Sequence, residues 1–247
     1  MEYNKIILGD CIDEMSKIPK GSIDMILCDL PYGTTQCKWD TIIPINELWE
    51  QYERIVKPNG AIVLTAIQPF TSNLVMSNTD MFRYSLVWEK SKSTGYLNSK
   101  KMPMRAHEDI LVFYKNLPTY NPQKTIGVPY DKGKAHRPTD VYGEQKGKIH
   151  VKNEDGSRYP RSVQYFKTAE SEGKVLHSTQ KPVSLFEWLI KTYSNENDII
   201  LDNCIGSGTT AIAAIRTKRN YVGIENDENY YNITINRIEE ENKKKIE

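Results

Sequence analysis

Two stretches of the 247-residue chain put chemically capable side chains where a fold could present them. Asp29-Leu30-Pro31-Tyr32-Gly33 closes the apolar run Ile23-Asp24-Met25-Ile26-Leu27-Cys28, whose length and flanks suit a buried strand. An acid, a rigid proline and an aromatic then fall at the strand's carboxyl end, where open α/β sheets bind ligands. Taken alone, the same residues would also serve as a plain strand exit, because Asp, Pro and Gly all favour turns. In the second stretch, the strand Asp198 to Asp202 runs into Asn203-Cys204-Ile205-Gly206-Ser207-Gly208-Thr209-Thr210. A short helix follows, then a strand Tyr221 to Glu225. Strand, Gly-Ser-Gly, helix, strand, acid is the pattern of a nucleotide-type cofactor site. Glycines let a ligand approach the backbone, the helix start near Thr209 attracts a carboxylate or phosphate, and Glu225 can hold ribose hydroxyls.

The ligand can be narrowed by what is missing. G-x-x-x-x-G-K-[ST] is absent, which speaks against a P-loop, and the three-glycine dinucleotide fingerprint is incomplete. S-adenosylmethionine fits better: it has ribose hydroxyls for Glu225, a carboxylate for the Gly loop, and no pyrophosphate.

The elements that must position these residues alternate. Lys5 to Leu8 reads as a strand ending in Gly9-Asp10, followed by a helical stretch with Ile12, Met15 and Ile18. The Asp29 strand comes next, then a polar loop with Thr34, Thr35, Gln36, Lys38 and Trp39, a helix about Ile45 to Val56 and the strand Ala61 to Ala66. This order predicts an α/β fold, a Rossmann-like and mostly parallel sheet with helices on both faces. A helix near Phe70 to Asn78 and strands Tyr84 to Glu89 and Ile110 to Tyr114 follow. His107-Glu108 is read as orienting a loop, since no third partner makes it a catalytic pair. Helices Val183 to Tyr193 and Ala211 to Thr217 and a last helix with Tyr230, Ile233, Ile235 and Ile238 complete the set.

Composition bounds the function further. The N-terminus lacks a signal peptide's apolar core and no run reaches the roughly 18 apolar residues of a membrane span, so a cytoplasmic protein with no membrane partner is expected. Cys11, Cys28, Cys37 and Cys204 form no C-x-x-C or Cys/His cluster, so they are read as small buried thiols and no metal is expected. Glu89 to Leu176 holds 17 Lys/Arg against 10 Asp/Glu, whereas the rest of the chain holds 16 against 22. Within it, 116–176 shows no regular periodicity. There Lys124, Lys132, Lys134, Arg137, Lys146, Lys148, Lys152, Arg158 and Arg161 interleave with Tyr120, Tyr130, Tyr142, Tyr159, Tyr165 and Phe166. Cations among flat rings suit phosphate contact and base stacking.

Together the two stretches resemble the permuted group of DNA amino-methyltransferases, in which the catalytic motif precedes the cofactor motif. Asp29-Leu30-Pro31-Tyr32 is similar to that family's D/N/S-P-P-Y/F, Asp202 to Thr210 to its Gly-rich loop, and His177-Ser178-Thr179-Gln180-Lys181-Pro182 to its H-P-T-Q-K-P segment. Leu30 and Ser178 replace prolines, and Asn203-Cys204 stands where Pro-Phe is usual, which removes an aromatic from the cofactor pocket. The resemblance implies a class I methyltransferase fold, with 1–115 and 177–247 catalytic and 116–176 an inserted target-recognition region. It implies S-adenosylmethionine held by Asp10, Cys11, Asp29, Lys181, Asp202, Cys204, Gly206, Ser207, Gly208, Thr209, Glu225 and Asn226. Asp29, Leu30, Pro31 and Tyr32 would be catalytic.

The implied reaction methylates an exocyclic amine of a base flipped out of double-stranded DNA. Adenine N6 is favoured by Asp at position 29. Cytosine N4, an RNA or protein amide, and an inactive DNA-binding relative are the alternatives. A homodimer and a cognate restriction endonuclease are partners the family admits, within a restriction-modification setting.

Overall fold

The computed structural model describes residues 2–33, 41–135, 149–173, 175–177 and 179–244. The expected polar loop at 34–39, with Cys37, and the side chains Arg137, Tyr142, Lys146, Lys148 and Ser178 lie outside these residues. Two compact units emerge, one made of 1–121 and 162–247 and the other of Pro122–Arg161.

The larger unit is built on an eight-stranded sheet. Its strands are β1 (Lys5–Leu8), β2 (Ile23–Asp29), β3 (Val56–Ala66), β4 (Phe82–Thr94), β5 (Arg105–Phe113), β10 (Val163–Phe166), β11 (Ile199–Asp202) and β12 (Asn220–Glu225). The order across the sheet is β1-β12-β11-β2-β3-β5-β4-β10. Every neighbouring pair is parallel except the two that involve β5. The carboxyl ends of β1, β12, β11 and β2 therefore share one edge.

β2 shows why these residues make this sheet. Both its faces are covered, so it is apolar throughout rather than alternating. Met25 and Leu27 join one core layer with Leu185, Phe186 and Leu189 of α4 (Val183–Tyr193) and Ala211 to Ile215 of α5 (Thr209–Arg216), and with Ile238 of α6 (Glu228–Lys243). Ile26 and Cys28 join the opposite layer. That layer holds Met15 of α1 (Cys11–Ser16), Leu48, Tyr52 and Ile55 of α2 (Ile45–Ile55), and Leu74 of α3 (Phe70–Ser77). Each fully buried side chain of this size contributes about 1.5–3 kcal/mol, so the two layers fix where β2 ends and hence where Asp29 stands.

Three expectations need correction. β4 and β5 run on to Thr94 and Arg105 and form a long ribbon, because their outer halves are polar and show no core-facing alternation. The stretch 116–176 is not without regular structure: β10 joins the main sheet beside β4. The separate unit is shorter than 116–176 and holds two small antiparallel ribbons. β6 (Thr125–Ile126) pairs β9 (Ser157–Arg158), and β7 (Tyr130–Ala135) pairs β8 (Ile149–Asn153). Within it Arg158 is spent on structure: it donates to Asn153 and Val128 and its guanidinium lies 4.6 Å from the Tyr130 ring centroid. Gly156, at φ +72, packs so closely that a Cβ would lie 2.1 Å from the Gly127 carbonyl oxygen.

Among the described residues no helix is long and apolar enough to cross a membrane, and no His/Cys/Asp/Glu group could hold a metal ion. Cys11 and Cys28 are buried, whereas Cys204 is half-buried.

Candidate active site

A cavity of about 360 Å³ opens at the shared carboxyl edge of the larger unit's strands. Asp10, Cys11, Asp29, Leu30, Pro31, Tyr32, Lys181, Asp202, Cys204, Gly206, Ser207, Thr209, Glu225 and Asn226 all line it. Two runs separated by more than 150 residues meet there because β2 and β11 are neighbours, with Ile200 opposite Met25 and Leu201 opposite Ile26.

Asp29 accepts three side-chain hydrogen bonds. Thr65, its cross-strand partner on β3, and Tyr32 each donate a hydroxyl to Asp29 Oδ1 at 2.5 Å. Lys181 Nζ donates to Oδ2 at 2.6 Å. Lys181 also stands 3.5 Å from Glu108 Oε2, and Lys90 donates to Glu108 Oε1 at 2.9 Å. The chain Lys90, Glu108, Lys181, Asp29 thus alternates in sign, with both ammonium side chains almost fully enclosed.

Burial alone would lower the Lys181 ammonium, but the Asp29 and Glu108 carboxylates outweigh it and raise it above the usual lysine value. Burial would likewise push Glu108 up, and the two lysines hold it below the usual carboxylate range. The Tyr32 hydroxyl is pushed well up by burial and by the negative charges of Asp29 and Glu108, so it remains a donor. Its ring sits 5.3 Å from Phe70.

The cofactor-type half is held by its own backbone bonds. Glu225 Oε2 accepts from Gly206 N at 2.8 Å, and Oε1 from Asn226 N at 3.1 Å and Asp227 N at 2.9 Å. That ties the Gly loop to the end of β12. Burial raises the Glu225 carboxyl despite these donors. Asp202, at the end of β11, accepts from Cys204 N and from the Thr210 hydroxyl, yet burial pushes it up to about 6. No side chain caps the first turn of α5. Its leading N–H groups need an acceptor. Asp10 caps α1, accepting from Ile12 N and Asp13 N, and borders the cavity as well.

Gly208 is the one expected cofactor residue that does not line the cavity. It turns at φ +85 with Thr234 so close that a Cβ would lie 2.8 Å from its methyl carbon, so this glycine lets the loop pack on α6. Lys181, expected at the cofactor, directs its ammonium to Asp29. His107 is exposed on β5, and Glu108 rather than His107 turns inward.

The residues missed include Thr65 and Glu108, described above, and Tyr230. Tyr230, read as a packing residue of the last helix, lines the cavity with its ring 4.2 Å from that of His177. It supplies an aromatic wall in a pocket where Asn203-Cys204 replaces Pro-Phe. His177 accepts from Thr179 N at Nδ1, and burial lowers it, which favours the neutral ring. The signal for Tyr230 was its place in the first turn of α6, the helix that follows Glu225.

A mostly parallel sheet with helices on both faces, a Gly loop tied to a strand-end acid, and Asp-Leu-Pro-Tyr at the adjacent strand end define a class I methyltransferase. The sequence profile of the DNA methylase family matches residues 23–236, and the chain belongs to that family, the N6-adenine/N4-cytosine amino-methyltransferases. It is 29% identical over 266 residues to the type II methyltransferase M.HinfI of Haemophilus influenzae, covering 96% of this chain and 68% of the relative. It is 29% identical over 258 residues to the DNA adenine methyltransferase YhdJ of Escherichia coli, covering 96% and 83%. The crystal structure of an M1.HpyAVI–SAM complex matches with a TM-score of 0.66 at 22% identity, over 95% of this chain and 98% of that one.

Proposed function

We propose that this DNA amino-methyltransferase transfers a methyl group from S-adenosylmethionine to N6 of an adenine turned out of double-stranded DNA. The observation that carries the reading is Asp29. Its carboxylate stands at the cavity wall beside the Leu30 carbonyl, with three of roughly four acceptor positions filled by Tyr32, Thr65 and Lys181. One position is left for an incoming amine hydrogen.

The cavity fits the cofactor by its donor set. Glu225 and Asp10 offer carboxylates to hydroxyl and amine donors, the uncapped start of α5 offers N–H groups to a carboxylate, and Tyr230 and His177 offer a flat wall. When bound, S-adenosylmethionine supplies an electrophilic methyl group. An exocyclic base amine is a poor nucleophile because its lone pair is delocalised into the ring. Asp29 and the Leu30 carbonyl accept its two hydrogens, favour a pyramidal nitrogen and stabilise the positive charge that develops. Lys181 and Thr65 hold Asp29 in place, and Tyr32 stacks on the base.

Adenine is supported by Asp rather than Ser at position 29 and by the name of the relative YhdJ. The unit Pro122–Arg161 is the target-recognition element in this reading. A cognate restriction endonuclease is part of this reading, supported by the type II methyltransferase name of the relative M.HinfI. Purified protein, methyl-labelled cofactor and mixed DNA, digested to nucleosides, test the proposal. N6-methyladenine is expected, N4-methylcytosine would replace the base assignment, and unlabelled DNA would overturn the activity.

A further inference from the structure

The ribbon formed by β4 and β5 extends far past the catalytic row. Asp29 pairs with Thr65, Thr65 with Ile110, and Ile110 with Leu86. β4 then continues eight residues, from Leu86 to Thr94, up to about 26 Å at the usual strand rise. β4 is parallel to β2 across β3 and β5, so the arm leaves the sheet at the edge where Asp29 stands.

The arm's surface is unusual. Every residue from Ser91 to His107 is exposed, and none of them is acidic, while Lys92, Lys100, Lys101 and Arg105 are basic. Lys92 pairs with Glu170. At the apex Tyr96 is 76% and Leu97 96% exposed, with Met102 and Met104 behind them. This is not a loose loop: Gly95 turns at φ +92, Asn98 N donates to Gly95 O, Ser99 N to Tyr96 O and Lys101 N to Asn98 O. The apex backbone is ordered by its own bonds and holds its two largest apolar side chains outward. Single exposed apolar residues are ordinary, but four on one projecting arm, rimmed by cations, mark an interaction surface.

We infer that this arm grips the DNA and that Tyr96 and Leu97 wedge into the duplex where the target base leaves the stack. The inference rests on the amino-methyltransferase reading. Cations meet phosphates, and a two-stranded ribbon fits the major groove. The pocket around Asp29 reaches only an unstacked base, so flipping leaves a gap beside the orphaned partner base. Apolar side chains inserted at a base step stabilise such an unstacked state.

The test uses the full-length protein with the double variant Tyr96→Ala/Leu97→Ala, whose sites are exposed and outside the core. Two duplexes carry the sequence that the wild type methylates, as mapped by modification-sensitive sequencing. In one the target base is paired, and in the other it faces a mismatched base and is already loosened. Single-turnover methylation of the paired duplex should fall on the order of 10-fold or more, while the mismatched duplex stays within about 3-fold of wild type. Lys100→Ala/Lys101→Ala should slow both duplexes alike and flatten the salt dependence of binding. Equal loss on both duplexes with the apex variant, or no loss on the paired one, would overturn the wedge. So would a change in oligomeric mass without a difference between duplexes, which would make the apex a contact to a second copy. A wild type that leaves every sequence unmodified in that mapping would instead overturn the underlying activity.

Discussion

Lys181 Nζ lies 2.6 Å from Asp29 Oδ2 across a separation of 152 residues. The contact exists because the segment before α4 crosses the carboxyl edge of β2, and it turns a motif lysine into a brace for the acid proposed to accept the amine hydrogen.

Lys181→Met should therefore destabilise the protein by about 3–5 kcal/mol, the usual cost of removing one partner from a buried charged pair. The variant should also respond differently to acid. Burial favours a higher Glu108 value and the lysines hold it low, so its ionised form stabilises the fold above its unfolded value and that contribution is lost as pH falls through the folded value. Without Lys181 the folded value rises, and the loss begins at higher pH. Melting temperatures of both proteins from about pH 7 down to about pH 3 check this. Parallel curves would refute it, and Glu108→Gln in the same background should restore part of the loss.

The two strand-end acids should separate kinetically. Glu225→Ala should weaken S-adenosylmethionine binding by about 1.5–3 kcal/mol, in part because Gly206 loses the acceptor that tethers its loop. Asp29→Ala should lower single-turnover methylation by on the order of 100-fold while leaving cofactor affinity within a few-fold. Equilibrium titration beside single-turnover rates distinguishes them, and an Asp29 variant that cannot bind cofactor would contradict this division.

Asp202 offers a pH signature of the opposite sign. Burial raises it to about 6, so its contribution to stability is fully present below the unfolded value, near pH 4, and is lost as pH rises through the folded value. The stability of wild type relative to Asp202→Asn should fall by about 3 kcal/mol between about pH 4 and about pH 7. Denaturant melts at a series of pH values measure it, and a flat difference would mean that the acid is not held protonated by its surroundings.

The unit Pro122–Arg161 should act through charge. Lys124 and Lys132 are exposed, each over a tyrosine ring at 4.5 Å and 5.1 Å from its centroid. Replacing each with Ala should reduce the slope of log affinity against log salt by about one unit per lost phosphate contact. Arg158→Ala should instead lower thermal stability, because its guanidinium is committed to Asn153, Val128 and Tyr130. An unchanged slope in the lysine variants would place the phosphate contacts elsewhere.

The central sheet was legible because β2 and the inner part of β3 are covered on both faces, and continuous apolar runs such as Met25 to Cys28 leave no other reading. Of the residues that the motifs mark for catalysis or cofactor binding, all but Gly208 line the cavity. Side-chain partners were not legible, because spacing along the chain says nothing about contacts such as Lys181 to Asp29. Glu108 could have been found by parity: it shares a strand face with the buried Ile110 and Val112, and an acid on an inward face needs a cation. The outer ribbon escaped because an exposed strand has no reason to alternate, and β10 because its half-buried positions are one polar, Gln164, and one apolar, Phe166.

The placement of β11 between β2 and β12 also sets the order of assembly. As the chain is synthesised, β2 can pair at once with β3, but its other edge faces no strand until Ile199–Asp202 emerges. Such distant pairing is slow to form, and in the meantime the unpaired edge at Met25 and Ile26 is a template for aggregation. Cofactor competence thus arrives only when the interior strand is filled, and synthesis that stops before Ile199 leaves a chain with the Asp29 motif, an open sheet and no pocket.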